Sequence, residues 1–286
     1  MANIIEIPFS KFHGLANDFV IAEACGLPRA LPHLARAICA RHTGVGADGL
    51  LVVMPPQNKR YQARVRFFNA DGSEAEMSGN GIRCAAAFLV ARAAVKRPLQ
   101  IETAAGVKSL HLVGFEGGKW TFRVAMGRPI LKPAKILFAG SRSASPIVGF
   151  LLETSHGLLP VTVTSMGNPH CTVLVSNFGA LDWRRLGREI ELNTLFPNRT
   201  NVEFVKVLST KEIEVRFWER GVGETMSSGT GSCAAAVACI LNRQTGRKVA
   251  VHTPAGLLEV SWPARGEVAL TGPVELIAQG TYRYRG

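Results

Sequence analysis

The chain has 286 residues, enough for two domains or one large one. Its composition, 47% hydrophobic and 19% charged, is that of a soluble globular protein and excludes a disordered or fibrous one. The net charge is +12, but the basic residues are scattered from Arg29 to Lys248 with no dense tract and no interleaved aromatics. No nucleic-acid partner is expected; the surface suits anionic small molecules. The Met1-Ala-Asn-Ile-Ile-Glu-Ile-Pro8 start has no basic n-region, and no apolar run reaches membrane-spanning length. A cytoplasmic protein without membrane contact is the expectation. Six cysteines (Cys25, Cys39, Cys84, Cys171, Cys233, Cys239) form no Cys-x-x-Cys pair, so neither a metal site nor disulfides are expected.

Taken in order, Leu31–Arg41 reads as a helix, and the apolar or alternating runs Gly49–Met54 and Tyr61–Phe68 read as strands. An alanine-rich helix over Ile82–Ala94 follows Gly79-Asn80-Gly81 directly. Strands are expected at Leu110–Val113 and Trp120–Val124, then a turn-rich boundary at Met126-Gly-Arg-Pro129. Beyond it come strands at Leu159–Val163, Thr172–Val175, Val202–Val207 and Ile213–Trp218, and a second alanine-rich helix over Ser232–Asn242. The residues after Pro273 are expected to return to the first half. The expected domains are 1–126 joined by 274–286, and 127–273.

The two halves repeat. Glu74-Ala-Glu-Met-Ser78-Gly79-Asn80-Gly81 matches Glu224-Thr-Met-Ser-Ser228-Gly229-Thr230-Gly231 at a constant offset of 150. Thr103-Ala-Ala-Gly106 matches Thr253-Pro-Ala-Gly256 at the same offset, and Asn17 falls on Asn168 at 151. One such match is within chance; three in register point to two similar domains. They imply a pocket approached from two sides, with Ser78 and Ser228 as the facing pair.

A Gly-x-Gly turn opening a helix offers backbone N–H groups at the positive end of the helix dipole, where an anion binds and no side chain blocks it. Two such ends would grip a carboxylate, and the serines would flank its α-carbon, one per face. Each turn alone is more often a simple cap; the duplication raises the functional reading. Asn69, Asp71, Asn168, His170, Asn201, Glu219 and Arg220 are polar residues in otherwise apolar strands or tight turns. Singly each is a turn former or a satisfied buried group. Together, amides with a Glu-Arg pair suit an amino-acid-like ligand, since arginine holds a carboxylate bidentately.

These motifs resemble the diaminopimelate epimerase family of cofactor-independent amino-acid racemases. The matching stretches are Phe12–Phe19, Arg41–Leu51, Phe68–Glu74, Gly79–Cys84, Met166–His170, Glu219–Thr225 and Gly229–Gly231, in order along nearly the whole chain. The resemblance implies an α+β fold of two pseudo-symmetric, barrel-like domains, each around a central helix, with the active site in the cleft between them. It implies interconversion of LL- and meso-2,6-diaminopimelate, an isomerase step toward lysine and the cell wall, in a cytoplasmic homodimer that needs no cofactor. It assigns Asn17, Asn69, Asn168, Asn201, Glu219 and Arg220 to the substrate, and the backbone of Gly79-Asn80 and Gly229-Thr230 to its carboxylate. His170 and Glu219 lie near the catalytic pair in that family. Ala16 stands where a glycine is common.

The departure is the pair itself: the family places cysteines, a thiolate base and a thiol acid, at Ser78 and Ser228. A thiol ionises near pKa 8.5, whereas an alcohol lies near water's 15.7. A gap of roughly 7 units makes the serine base about 9–10 kcal/mol costlier to form. Cys84 and Cys233 match cysteines the family already has and read as packing residues. Three readings stay open: an epimerase whose thiols are replaced, by nature or by design; a racemase or dehydratase for another amino acid on the same scaffold; and a non-catalytic amino-acid-binding relative.

Overall fold

The computed structural model describes residues 4–93, 98–140 and 146–285. Its first elements are β1 (Ile4–Gly14), β2 (Asn17–Glu23), α1 (Leu31–Cys39), β3 (Gly49–Met54), β4 (Ala63–Asn69), β5 (Glu74–Ala75), α2 (Gly79–Ala93), β6 (Leu99–Thr103), β7 (Gly106–Glu116) and β8 (Lys119–Gly127). Then follow α3 (Pro133–Ile136), β9 (Ile147–Thr154), β10 (Gly157–Ser165), β11 (Pro169–Leu174), α4 (Trp183–Glu191), β12 (Asn201–Ser209), β13 (Glu212–Glu219), β14 (Gly223–Thr225), α5 (Gly229–Leu241), β15 (Lys248–Thr253), β16 (Gly256–Ser261) and β17 (Val268–Arg285). Two compact units emerge, Met1–Val124 with Gly272–Gly286, and Ala125–Thr271.

In the first unit the strands pair in the order β17, β1, β2, β3, β4, β6, β7, β8 and back to β17, a closed barrel of eight. The second unit runs β9, β10, β11, β12, β13, β15, β16, β17. The repeat extends to register. The parallel pair β4–β6 sets Ala63 against Ile101, and β13–β15 sets Ile213 against Val251, each residue 150 positions later.

Eight strands enclose little more room than their own side chains fill. A helix inside must therefore be narrow, and alanine combines small volume with high helix propensity. Ile82, Cys84, Ala85, Ala86 and Ala87 have no exposed surface, nor has any residue from Cys233 to Cys239. The α5 helix packs against β10, β11, β12, β13, β15 and β16. A larger side chain there would overfill the barrel, at about 1–3 kcal/mol.

Several details differ from the sequence expectations, among them the unit boundaries, which fall after Val124 and Thr271 rather than after 126 and 273. Both central helices begin at the first glycine, Gly79 and Gly229, three residues earlier than expected, because the preceding serines cap them. The first of them was expected to end at Ala94, which lies outside the described residues. Helix α1 stops at Cys39 rather than Arg41, whose guanidinium instead reaches Asp18 and Asp48. Helix α4 was not anticipated. Asp182 caps it by accepting from Arg185 N, and Trp183, Leu186 and Ile190 pack with Val202 and Phe204.

Candidate functional site

In the first unit, Ser78 precedes α2 and its Oγ accepts from Gly81 N at 3.1 Å, while Ser78 O accepts from Ile82 N at 2.8 Å. A hydroxyl at this position satisfies one of the first-turn donors. The N–H groups of Gly79 and Asn80 keep no protein acceptor among the described residues. Gly81 is closely packed: a Cβ there would lie 3.1 Å from Phe67 and from the Ser78 Cβ, so a neighbour would have to give way by a few tenths of an ångström. Asn80 is buried and donates to Asn17 Oδ1 at 3.3 Å; its own Oδ1 accepts from the fully buried Arg83 at 2.8 Å. Asn17 donates to Asp48, which joins Asp18, Arg41 and Lys11 in a network of ion pairs. Burial pushes the Asp18 carboxyl up, but hydrogen bonds from Arg41 and Lys11 outweigh it and hold it below its usual range. Asn69 is exposed and donates to Ser73 Oγ at 2.9 Å.

A two-residue hairpin, Leu15-Ala16, brings Asn17 to its place: Gly14 pairs with Asn17, and Leu15 and Ala16 sit at φ 54° and 62°. Both residues therefore occupy the left-handed region that such hairpins need and that favours glycine. That is the physical reason a glycine suits position 16.

In the second unit, Ser228 caps α5 in the same way, accepting from Gly231 N at 3.3 Å, and leaves Gly229 and Thr230 N–H without a protein acceptor among the described residues. Here the hydroxyl also donates, to Glu219 Oε2 at 3.1 Å. The other oxygen of Glu219 accepts from Thr225 Oγ1 at 2.6 Å. Asn168 donates to Thr230 Oγ1 at 3.4 Å and faces His170 Nε2 at 3.0 Å. His170 Nδ1 lies 2.7 Å from Glu203 Oε1, both groups being buried. Burial raises the Glu203 carboxyl above its ordinary value, against the opposing pull of His170. The Asn201 amide is held by the main chain at both ends, by Arg220 N at 3.0 Å and Pro169 O at 2.8 Å. Arg220 itself is exposed, with its guanidinium on Asn198 O.

The structure thus joins Ser228, Glu219 and Thr225 in one group, Asn168, His170, Glu203 and Thr230 in a second, and Asn201 with Arg220 in a third. In the first unit it joins Asn17 with Asn80. Glu203 and Thr225 escaped the sequence reading. A lone acid inside the apolar run Val202-Glu203-Phe204-Val205 was the available signal for Glu203. Cys84 and Cys233 are fully buried, and burial pushes the Cys84 thiol up to about 12, so neither supplies an accessible thiolate.

A family model described as diaminopimelate epimerase matches residues 9–132 and 162–277. A diaminopimelate epimerase of Pelotomaculum thermopropionicum is 45% identical over 281 residues, covering 97% of this chain and 99% of the relative. One from Moorella thermoacetica is 44% identical over 279 residues, covering 96% and 98%. A solved hydroxyproline epimerase from Agrobacterium vitis shares the fold at a TM-score of 0.69 and 16% identity, covering 100% of this chain and 95% of that one.

Proposed function

The chain belongs to the diaminopimelate epimerase family, and on that premise we propose that it inverts one α-carbon of diaminopimelate with Ser78 and Ser228 as the acid–base pair. The observation that carries this reading is the repeated frame: a serine capping a buried helix, followed by N–H groups of Gly79-Asn80 in one unit and Gly229-Thr230 in the other that have no protein acceptor among the described residues. Those donors suit a carboxylate, whose charge grows as the α-proton leaves.

A bare serine is a weak base, and Glu219 offers a route around that. Its carboxylate, 3.1 Å from the Ser228 hydroxyl, takes the hydroxyl proton as Ser228 Oγ takes the α-proton. Ser78 then gives its own proton to the opposite face of the carbanion, and solvent restores both groups. In the reverse direction Ser78 is the base, with no carboxylate among the described residues beside it. The reading includes, from the resemblance, a cytoplasmic homodimer, which sedimentation would check.

Incubation with LL- and meso-diaminopimelate in D2O tests the proposal by deuterium at Cα and by stereochemistry. Slow exchange with inversion is expected. Replacing both serines, Ser78→Cys with Ser228→Cys, should raise the rate roughly 10^3-fold or more, within the ~10^7 that a 7-unit gap permits. Binding without exchange in either form would leave an amino-acid-binding protein; no binding would sink the substrate assignment.

A further inference from the structure

Glu203 on β12 lies under the first turn of α5: a Cβ on Gly231 would meet its Oε1 at 3.0 Å. It is 1% exposed, and its neighbour His170 is fully buried. From Glu203 Oε1 the contacts run to His170 Nδ1 at 2.7 Å, from His170 Nε2 to Asn168 Oδ1 at 3.0 Å, and from Asn168 Nδ2 to Thr230 Oγ1 at 3.4 Å. The last residue belongs to the turn whose N–H groups have no acceptor among the described residues.

With the Asn168 oxygen facing His170 and its NH2 facing Thr230, proton bookkeeping along this chain leaves one solution. A carboxamide oxygen only accepts, so Nε2 carries a proton. Nδ1 faces a carboxyl oxygen, so a single proton lies between the two, whichever atom holds it. The pair is then net neutral, which suits two buried side chains beside Phe217, the cross-strand neighbour of Glu203. The opposite ring form, with a lone pair on Nε2, would swing the Asn168 NH2 toward His170 and its oxygen toward Thr230.

We propose that Glu203 is a positioning residue: it keeps the ring proton of His170 on Nε2 and thereby turns the Asn168 amide so that its NH2 faces Thr230 and the start of α5. Two consequences follow. A ligand arriving at Thr230 meets a donor, which selects an anionic group and disfavours a cation. His170 Nε2, already protonated, is a donor and not a proton acceptor. The ring assignment stands on the contacts alone; its effect on diaminopimelate rests on the proposed function.

Nitrogen-15 NMR of the full chain at pH 7, with histidine labelled and His170→Gln used for assignment, reads the ring directly. The native protein should show His170 Nε2 bonded to hydrogen in slow exchange with water; an unprotonated Nε2 overturns the proposal, and this result needs no variant of Glu203. In Glu203→Gln the new amide can donate to Nδ1 or accept from it, so a mixture of ring forms should appear. The dissociation constant for meso-diaminopimelate should rise about tenfold, the loss of one hydrogen bond to a charged group. An unchanged ring form and unchanged affinity in a folded Glu203→Gln also overturn the proposal, whatever happens to stability. If neither protein binds diaminopimelate, the substrate reading fails while the spectrum still decides the ring.

Discussion

Ser78 and Ser228 cap equivalent helices, yet among the described residues only Ser228 has a carboxylate within a hydrogen bond. Position 69, which answers to Glu219 at the common offset of 150, holds Asn69, and its amide turns to Ser73. His170 is answered at offset 151 by Phe19, and the strand equivalent to that bearing Glu203 is β3, Gly-Leu-Leu-Val-Val-Met, without a charge. The first unit spends its buried charge elsewhere, on Asp18 with Arg41 and Lys11 and on Arg83. Features set by packing, such as the narrow helix, the second glycine of each turn and the strand register, are common to both halves. Polar groups have diverged. Duplicated frames keep what volume dictates and leave chemistry free to differ.

The largest test of that contrast uses single thiols. Ser78→Cys alone should accelerate exchange more than Ser228→Cys alone, because Ser228 already has Glu219 as a partner; equal gains would erase the asymmetry. Next in size, Glu219→Gln should slow Cα deuterium exchange by about 10^2-fold, the usual worth of a positioned base. A packing comparison comes third. Gly231→Ala should cost about 1–3 kcal/mol in urea unfolding and exceed Gly81→Ala, since its Cβ meets Glu203, Phe217 and Ser228 all at 3.0 Å.

Acid provides a fourth, confined to the first unit. The Asp18 carboxyl is held below its unfolded value, so its stabilisation is complete above about pH 4 and is lost as pH falls through the folded value. Asp18→Asn should flatten that acid limb in a pH series of melting temperatures. The smallest effect concerns the hairpin. Ala16 at φ 62° answers to Gly167 at φ 103°. Ala16→Gly should stabilise by up to about 1 kcal/mol and Gly167→Ala should do the reverse.

Much of this architecture can be read from residues alone, for local reasons. The strands over Val202–Val207 and Ile213–Trp218 alternate or run apolar, and the alanine-rich helices have no rival interpretation. The serine pair stands out because duplication repeats it. Helix α4 is hard to read from residues because only three large apolar side chains in its nine residues, Trp183, Leu186 and Ile190, mark its buried face, and the apolar residues before its cap Asp182 blur its start. Glu203 was missed because its partner His170 is 33 positions away; only the parallel pairing of β11 with β12 brings them together. The early helix starts depend on which donor each serine hydroxyl accepts, a matter of tertiary geometry.

The burial of the cysteines has a practical side. Cys39, Cys84, Cys171, Cys233 and Cys239 are buried, with the Cys39, Cys84 and Cys239 thiols pushed up to about 12, and only Cys25 is exposed. To an alkylating reagent the folded protein is nearly thiol-free. With Cys25→Ala in the background, a single cysteine at the half-buried position 78 becomes a selective attachment point, whereas position 228 is buried like the native thiols. A fluorophore or spin label placed there would report on the first half of the duplicated frame alone.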